Sequence, residues 1–229
     1  MAVDIGKEEM LACFQIKVGS TIEIERVFDG ILAEGLGFVV DKITFPIVFI
    51  DEGDHAIFGR IAEENDVRGL TRRQIVFSLM ETELATAWLF IPEGREDVPA
   101  ILCCHHETVY GKDECAGLEG ASRVAFAQHY AELGYVTLAM DVPTVNKRAQ
   151  NKREPYDTNA FYKENKGVSF AGKMLADHRR ALDIFSELKR VDPTRIGVVG
   201  HGLDGLNALL LAACDDRVQA CVASCGFTR

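Results

Sequence analysis

The stretch that decides the fold runs from residue 192 to residue 226 and reads DPTRIGVVGHGLDGLNALLLAACDDRVQACVASCG. An apolar strand is predicted to end at Gly200, and a helix rich in leucine and alanine begins within about four residues of it. So tight a turn from strand to helix requires small residues around its apex, Gly202. A turn of this kind holds its apex residue in a strained conformation above the edge of the sheet.

Apolar runs alternate with amphipathic segments along the chain from about residue 74 onward. The predicted strands are Ile75–Met80, Leu84–Ile91, Pro99–Cys104, Tyr135–Met140, Arg195–Val199 and Val218–Ser224. The predicted helices are Ala121–Leu133, Lys173–Lys189 and Leu206–Ala213. Apolar strands between amphipathic helices are typical of a parallel sheet with helices on both faces. The first two strands are parted only by Glu81 and Thr82, which indicates an antiparallel pair leading into that sheet. The sequence therefore predicts an α/β domain over residues 71–229.

Residues 1–70 form, on this interpretation, an N-terminal extension of unclear structure. Within it, Ile43–Ile50 is a strand candidate, and Pro46 places that strand at an edge or a break. The chain of 229 residues thus divides into an extension and one domain.

The composition is that of an ordinary globular protein with an acidic balance. The formal net charge is -10, which argues against nucleic acid and anionic membranes as partners. The N-terminus carries acids early, and no apolar run approaches the ~18 residues of a membrane-spanning helix. We therefore expect a soluble, cytoplasmic protein. The seven cysteines contain no C-x-x-C pair, which favours free thiols in a reducing compartment over a disulfide framework.

The strand–turn–helix stretch resembles the dienelactone hydrolase and acetyl xylan esterase-like branch of the α/β-hydrolases. Such proteins typically read G-H-S-x-G-G at the turn, where this chain has Gly200-His-Gly-Leu-Asp-Gly205, and a D-x-R-V after the next helix, where it has Asp216-Arg217-Val218. Pro99–His105 matches the strand that leads to the oxyanion loop, and Gly134–Asp141 matches the next strand with its terminal acid. The resemblance covers roughly residues 75–229. It implies an α/β-hydrolase-like, mostly parallel sheet with helices on both faces and a carboxylic-ester hydrolase lineage.

The resemblance also assigns positions in a site. It puts Gly202 at the nucleophile position, where the attacking serine is absent, and the N–H of Leu203 at the oxyanion position. His201, beside the apex, shapes the turn or takes part in the chemistry. His105 and His106 stand in the oxyanion loop, where the family commonly shows His-Gly, and they are candidates for lining the mouth of a pocket.

Two acids lie close to these positions in the predicted fold. Asp141 ends a strand on the functional edge and is expected to bind backbone groups of a loop rather than to react. Asp204 lies past the apex, out of frame for a nucleophile, and is expected to favour the helix N-terminus electrostatically.

The order of catalytic residues in this fold is serine, acid, histidine. None of the six histidines lies beyond Gly202, and the chain stops after the strand that follows the helix of the turn. The resemblance thus implies that C-terminal strands are missing. We expect a catalytically impaired hydrolase, a pseudoenzyme of esterase lineage, because the nucleophile and its general base are both absent.

Other functions fit parts of the same sequence. A relocated mechanism would keep the protein an active hydrolase, and a non-catalytic module would use the old pocket to bind a small ester or acid, or for assembly. Gly200, Gly202 and Gly205 also spell the G-x-G-x-x-G of dinucleotide-binding proteins. The acid expected about 20 residues further on is lacking, however, since that place falls near Ser224 and Cys225.

The run Cys103-Cys104-His105-His106 contains four types of metal-ligating atoms in succession. Neighbouring residues on a strand point to opposite faces, so four consecutive ligands cannot converge on one ion. The sequence therefore predicts neither a metal nor another cofactor.

The last predicted strand, Val218–Ser224, has no following strand to cover its edge. An unpaired apolar edge invites pairing with another chain. We therefore expect a homo-oligomer.

Overall fold

The computed structural model describes residues 14–18, 22–26, 43–45, 59–67, 69–80, 83–148 and 154–226. The chain divides into two compact units, one ending at Val48 and the other beginning at Phe49. The first unit contains a three-stranded antiparallel sheet in the order β1-β2-β3. Its strands are β1 (Phe14–Val18), β2 (Ile22–Arg26) and β3 (Ile43–Phe45). Strand β3 begins where the sequence predicts a strand and ends directly before Pro46, and the remainder of that prediction lies outside the described residues.

The second unit is built on a seven-stranded sheet in the order β10-β9-β7-β8-β6-β5-β4. The strands are β4 (Gly59–Val67), β5 (Leu70–Met80), β6 (Glu83–Pro92), β7 (Val98–Cys104), β8 (Val136–Met140), β9 (Val191–His201) and β10 (Val218–Ser224). Strands β4, β5, β6 and β8 pair antiparallel, whereas β8, β7, β9 and β10 pair parallel. The predicted antiparallel pair leading into parallel strands is confirmed. Strand β4 lies in the range that the sequence assigned to the extension, and it joins this sheet through its pairing with β5.

Five helices are described in the second unit. They are α1 (Lys112–Cys115), α2 (Phe126–Glu132), α3 (Thr158–Glu164), α4 (Phe170–Glu187) and α5 (Leu203–Cys214). Short 3-10 helices at Ser122–Val124 and Asn146–Arg148 accompany them. The three predicted helices correspond to α2, α4 and α5. Helix α4 begins after Ser169, whose hydroxyl accepts a hydrogen bond from the Gly172 N–H at 3.0 Å, and such a cap stabilises a helix start by about 1 kcal/mol.

The core lies on both faces of this sheet, because successive strand residues point in opposite directions. On strand β7, Leu102 packs in the cluster that α4 and α5 cover, which also contains Phe185. Its neighbour Cys103 packs in the cluster on the other face, with Trp88 and Ala127 of α2. Full burial of side chains such as leucine or phenylalanine contributes about 1.5–3 kcal/mol each. The predicted sheet with helices on both faces is therefore confirmed.

A third apolar cluster, which we call the edge cluster, packs at the end of the sheet where the parallel strands finish. Its members are Val142, Val145, Phe161, Phe170 and Met174, with Tyr156 and Leu203 packed against it. This cluster joins α3 and α4 to the first residue of α5, and the candidate site is built on it.

No helix among the described residues is both long and apolar enough to cross a lipid bilayer. The described cysteines are free thiols, and Cys103, Cys104 and Cys115 are buried in the core.

Candidate active site

The turn between β9 and α5 has the tight geometry that its sequence predicts. Gly202 stands at the apex with φ 62 and ψ -129, a combination that side-chain-bearing residues adopt only under strain. Its N–H donates a hydrogen bond to the Ser224 carbonyl at 2.8 Å, which ties the apex to the end of β10. We call residues 200–205 the elbow. The apex of the elbow lacks a side chain and therefore offers no nucleophile.

The other two glycines of the elbow are needed because strand and helix approach each other closely. A Cβ at Gly200 would lie 2.2 Å from the Asp204 carbonyl oxygen, and one at Gly205 would lie 2.8 Å from the Ser224 carbonyl oxygen. Real Cβ atoms do not tolerate such distances. Packing thus accounts for the G-x-G-x-x-G spacing without a bound nucleotide.

A glutamate from another loop fills the space above the apex. A Cβ added at Gly202 would lie 2.3 Å from Oε2 of Glu107. The other carboxylate oxygen, Oε1, accepts a hydrogen bond from the Leu203 N–H at 2.8 Å. A carboxylate is favoured at this place because the first N–H groups of a helix carry partial positive charge. Glu107 therefore occupies the point where a nucleophilic side chain would begin.

Sequence reasoning missed Glu107, although it follows directly on His105 and His106. Strands β7 and β9 pair in parallel with Cys104 opposite Gly200. This register brings the loop after β7, residues 105–111, beside the elbow. An acid just beyond a parallel strand that neighbours the elbow strand was the signal available in the sequence.

Asp204, in the first turn of α5, is fully buried, and neither of its carboxylate oxygens has a well-formed hydrogen bond. Burial raises its pKa well above the usual range, and the negative charge of Glu107 raises the pKa further, while the nearby Asn207 amide offsets part of this. The protonated form of Asp204 is therefore favoured. The electrostatic support of the helix N-terminus that we predicted for Asp204 comes instead from Glu107, which faces the Leu203 N–H.

The two histidines of the loop after β7 differ in role. His105 is buried, with Nδ1 donating to the His106 carbonyl at 2.9 Å and Nε2 accepting from the Val142 N–H at 3.2 Å. Burial lowers the pKa of His105, so it serves as a neutral link between two loops and does not line a pocket mouth. His106 is partly exposed, and its Nε2 lies 3.5 Å from Oε2 of Glu114.

His201 lies on the same side of the elbow as His106. The two rings meet edge to face, with 6.2 Å between their centroids. Nδ1 of His201 is 3.0 Å from the hydroxyl oxygen of Ser224. The structure thus brings together Gly202, Leu203 and His201 with Glu107 and His106.

Asp141, directly after β8, is fully buried. Its Oδ1 accepts from the Lys112 N–H at 2.9 Å, and its Oδ2 accepts from Lys112 Nζ at 2.8 Å. Both side chains are 0% exposed. Asp141 therefore binds the backbone N–H of the first residue of α1, and Lys112 is the partner that the sequence did not reveal.

Behind the elbow, the buried His178 of α4 contacts α5. The Asn207 side-chain amide donates to its Nδ1. Burial, with the nearby positive charge of Arg148, lowers the pKa of His178 to about 3. His178 is therefore neutral at physiological pH and acts as part of the packing between α4 and α5.

No cluster of three or more histidine, cysteine or acidic side chains among the described residues is arranged to hold a metal ion. Cys103 and Cys104 pack in clusters on opposite faces of the sheet, as the alternation along a strand requires.

The sequence of this chain is similar to those of known hydrolases. The model of the "Dienelactone hydrolase family" matches residues 86–228, more than half of the chain. The "Putative hydrolase YtaP" of Bacillus subtilis (strain 168) is 33% identical over 170 residues, which are 71% of this chain and 54% of that protein.

Two solved structures share the fold. The "putative acetyl xylan esterase" of Bacteroides fragilis NCTC 9343 superposes with a TM-score of 0.64 at 20% identity, over 71% of this chain and 46% of that one. Acetyl xylan esterase 1 from Thermoanaerobacterium sp. JW/SL YS485 gives a TM-score of 0.57 at 18% identity, over 72% of this chain and 51% of that one. The chain thus spans about half the length of these relatives. By its sequence, its sheet order and its elbow, the chain belongs to the dienelactone hydrolase family of α/β-hydrolase-fold proteins.

Proposed function

We propose that this chain keeps the scaffold of a carboxylic-ester hydrolase but does not hydrolyse esters at its elbow. One observation carries the proposal: the Glu107 carboxylate lies where a nucleophilic side chain would start and takes up the Leu203 N–H. In this fold the N–H of the residue after the nucleophile stabilises the oxyanion of the tetrahedral intermediate.

Two requirements of ester hydrolysis are therefore unmet at once. Gly202 supplies no attacking oxygen, and the loss of a serine nucleophile alone lowers kcat by about 10⁶-fold in a well-studied protease. The oxyanion donor is engaged by an anion, and removal of one such donor costs about 10²–10³-fold. The negative charge of Glu107 would also repel the developing oxyanion. Because these losses act on one reaction, they are not simply multiplied.

We expect the native chain to show no turnover of p-nitrophenyl acetate above the buffer rate and no labelling by a fluorophosphonate. Gly202→Ser should not restore efficient turnover, since the Glu107 carboxylate still engages the oxyanion donor, the Leu203 N–H. The matched variant Gly202→Ser/Glu107→Ala removes that obstruction and should label faster than Gly202→Ser. Stoichiometric labelling of any serine in the native chain would reveal a reactive nucleophile outside the elbow and would refute the expected lack of ester hydrolysis. Full turnover by Gly202→Ser would show that the protein already contains both a general base and a free oxyanion donor.

A second candidate function is the binding of a small carboxylic acid, whose carboxylate would have to displace that of Glu107 from the Leu203 N–H. The Leu203 N–H already holds a carboxylate, so the elbow has the chemistry to accept one from a ligand once Glu107 is removed. We expect acetate to raise the melting temperature of Glu107→Ala in a saturable manner, because a ligand that binds only the folded state stabilises it. The native chain, with the N–H engaged, is the control. Equal responses of both chains would exclude binding at this position.

A further inference from the structure

One tyrosine hydroxyl holds both peptide groups that flank Glu107. Tyr156 donates a hydrogen bond from its hydroxyl to the His106 carbonyl at 3.2 Å and accepts one from the Thr108 N–H at 3.3 Å. A phenol has one proton to donate and lone pairs to accept, so it satisfies both groups together. The residue between these two anchored peptides is Glu107, whose carboxylate lies in the elbow.

Tyr156 is itself held in place from the other side. Its ring packs against the edge cluster, and Leu203 packs against the same cluster. Its backbone has φ 63, a conformation that is costly for a bulky residue and persists only when the surroundings fix it. Burial, with the nearby Glu107 carboxylate, raises the pKa of Tyr156. The hydroxyl therefore keeps the proton that it donates to His106.

We infer that Tyr156 is a positioning residue that directs Glu107 into the elbow. This inference rests on the proposed function, in which Glu107 fills the nucleophile position. Hydrogen bonds on both sides of residue 107 fix the rotation of the two peptide planes, and these planes set the direction of the bond from Cα to Cβ. With the planes free to turn, the same exposed side chain would reach solvent instead of the Leu203 N–H.

The NMR signal of the Leu203 amide reports whether Glu107 lies in the elbow, because the Leu203 N–H donates to the Glu107 carboxylate. Labelling glycine at the carbonyl carbon and leucine at the amide nitrogen restricts the spectrum of the full chain to Gly–Leu pairs. Gly202–Leu203 is one of these pairs, and Gly69–Leu70, at the start of β5, serves as an internal reference. The variant Glu107→Ala gives the chemical shift of the Leu203 amide in the absence of the carboxylate.

We expect Tyr156→Phe to change the chemical shift of the Leu203 amide most of the way to its value in Glu107→Ala. The chemical shift of the Leu70 amide should stay unchanged. The matched control is Tyr162→Phe. It removes a tyrosine hydroxyl that likewise accepts from a backbone N–H, that of Phe170 at 3.3 Å, and it should leave Leu203 unmoved. A merely structural role of Tyr156 would lower the melting temperature without this change at Leu203.

The outcomes separate the two proposals. If Glu107→Ala leaves the Leu203 amide unchanged, Glu107 does not fill the elbow, and the proposed function loses its main support. If Glu107→Ala moves the amide and Tyr156→Phe does not, the elbow is filled as proposed but Tyr156 does not position Glu107. If Tyr162→Phe moves Leu203 as far as Tyr156→Phe does, the effect is not specific and the inference is overturned.

Discussion

Replacing Lys112 by methionine should lower the free energy of unfolding by about 3–5 kcal/mol, the range measured when one partner of a buried ion pair is removed. Lys112 and Asp141 are both 0% exposed, and their charged atoms lie 2.8 Å apart. Asp113, which lies 3.3 Å from Nζ and is partly exposed, adds a second negative charge. Methionine keeps most of the volume of lysine but leaves the Asp141 carboxylate buried without a counter-ion. Urea denaturation of both chains measures the difference.

The double variant Lys112→Met/Asp141→Asn is the decisive comparison. Asparagine still accepts from the residue 112 N–H through its side-chain oxygen, but it carries no charge. The double variant should therefore recover a large part of the stability that Lys112→Met loses. Arg190→Met is the control at an exposed pair, since Arg190 lies 3.8 Å from Glu96 at the surface, and such pairs contribute about 0–1 kcal/mol. If Lys112→Met lowers the free energy of unfolding as little as Arg190→Met does, water reaches Asp141.

The elements of the second unit were predictable where local pattern determines them. Strands β7 and β8 are continuous apolar runs, and the elbow follows from the small residues between a strand and a leucine-rich helix. Helix α1 has only four residues, too few for an apolar periodicity to emerge. Helix α3 buries a single residue, Phe161, and so shows no apolar stripe. Strand β4 has a polar sequence, GRIAEENDV. Its place is set by pairing with β5 and not by its own composition.

The site was predictable only in part, because its contacts join distant segments. Gly202 and Leu203 follow from the turn itself. Glu107 reaches Leu203 from 96 residues away, through the register of β7 and β9. Tyr156 lies 48 residues from Thr108 in the chain, and no feature near Tyr156 marks it as a partner. A sequence pattern shows which residues lie at strand ends, but pairing decides which of them meet.

Gly200→Ala should destabilise the second unit by about 3 kcal/mol, at the upper end of the usual cost of overpacking. The new Cβ would lie 2.2 Å from the carbonyl oxygen and 2.6 Å from the carbonyl carbon of Asp204. These are backbone atoms of α5, so relief requires strand and helix to separate. That movement would also draw the Leu203 N–H away from Glu107.

Gly197→Ala, on the same strand, is the matched control. Its Cβ would meet nothing closer than the Ala220 carbonyl oxygen at 3.5 Å, which is an ordinary contact, and the loss of glycine reduces the entropy of the unfolded chain by the equivalent of about 0.4–1 kcal/mol. We expect Gly197→Ala to be neutral or slightly stabilising in urea denaturation. If the two substitutions change the free energy of unfolding equally, the approach of α5 does not restrict Gly200 more than Gly197, and the prediction is wrong. A large loss at Gly200 alone places the constraint at the approach of β9 to α5, which forms the elbow.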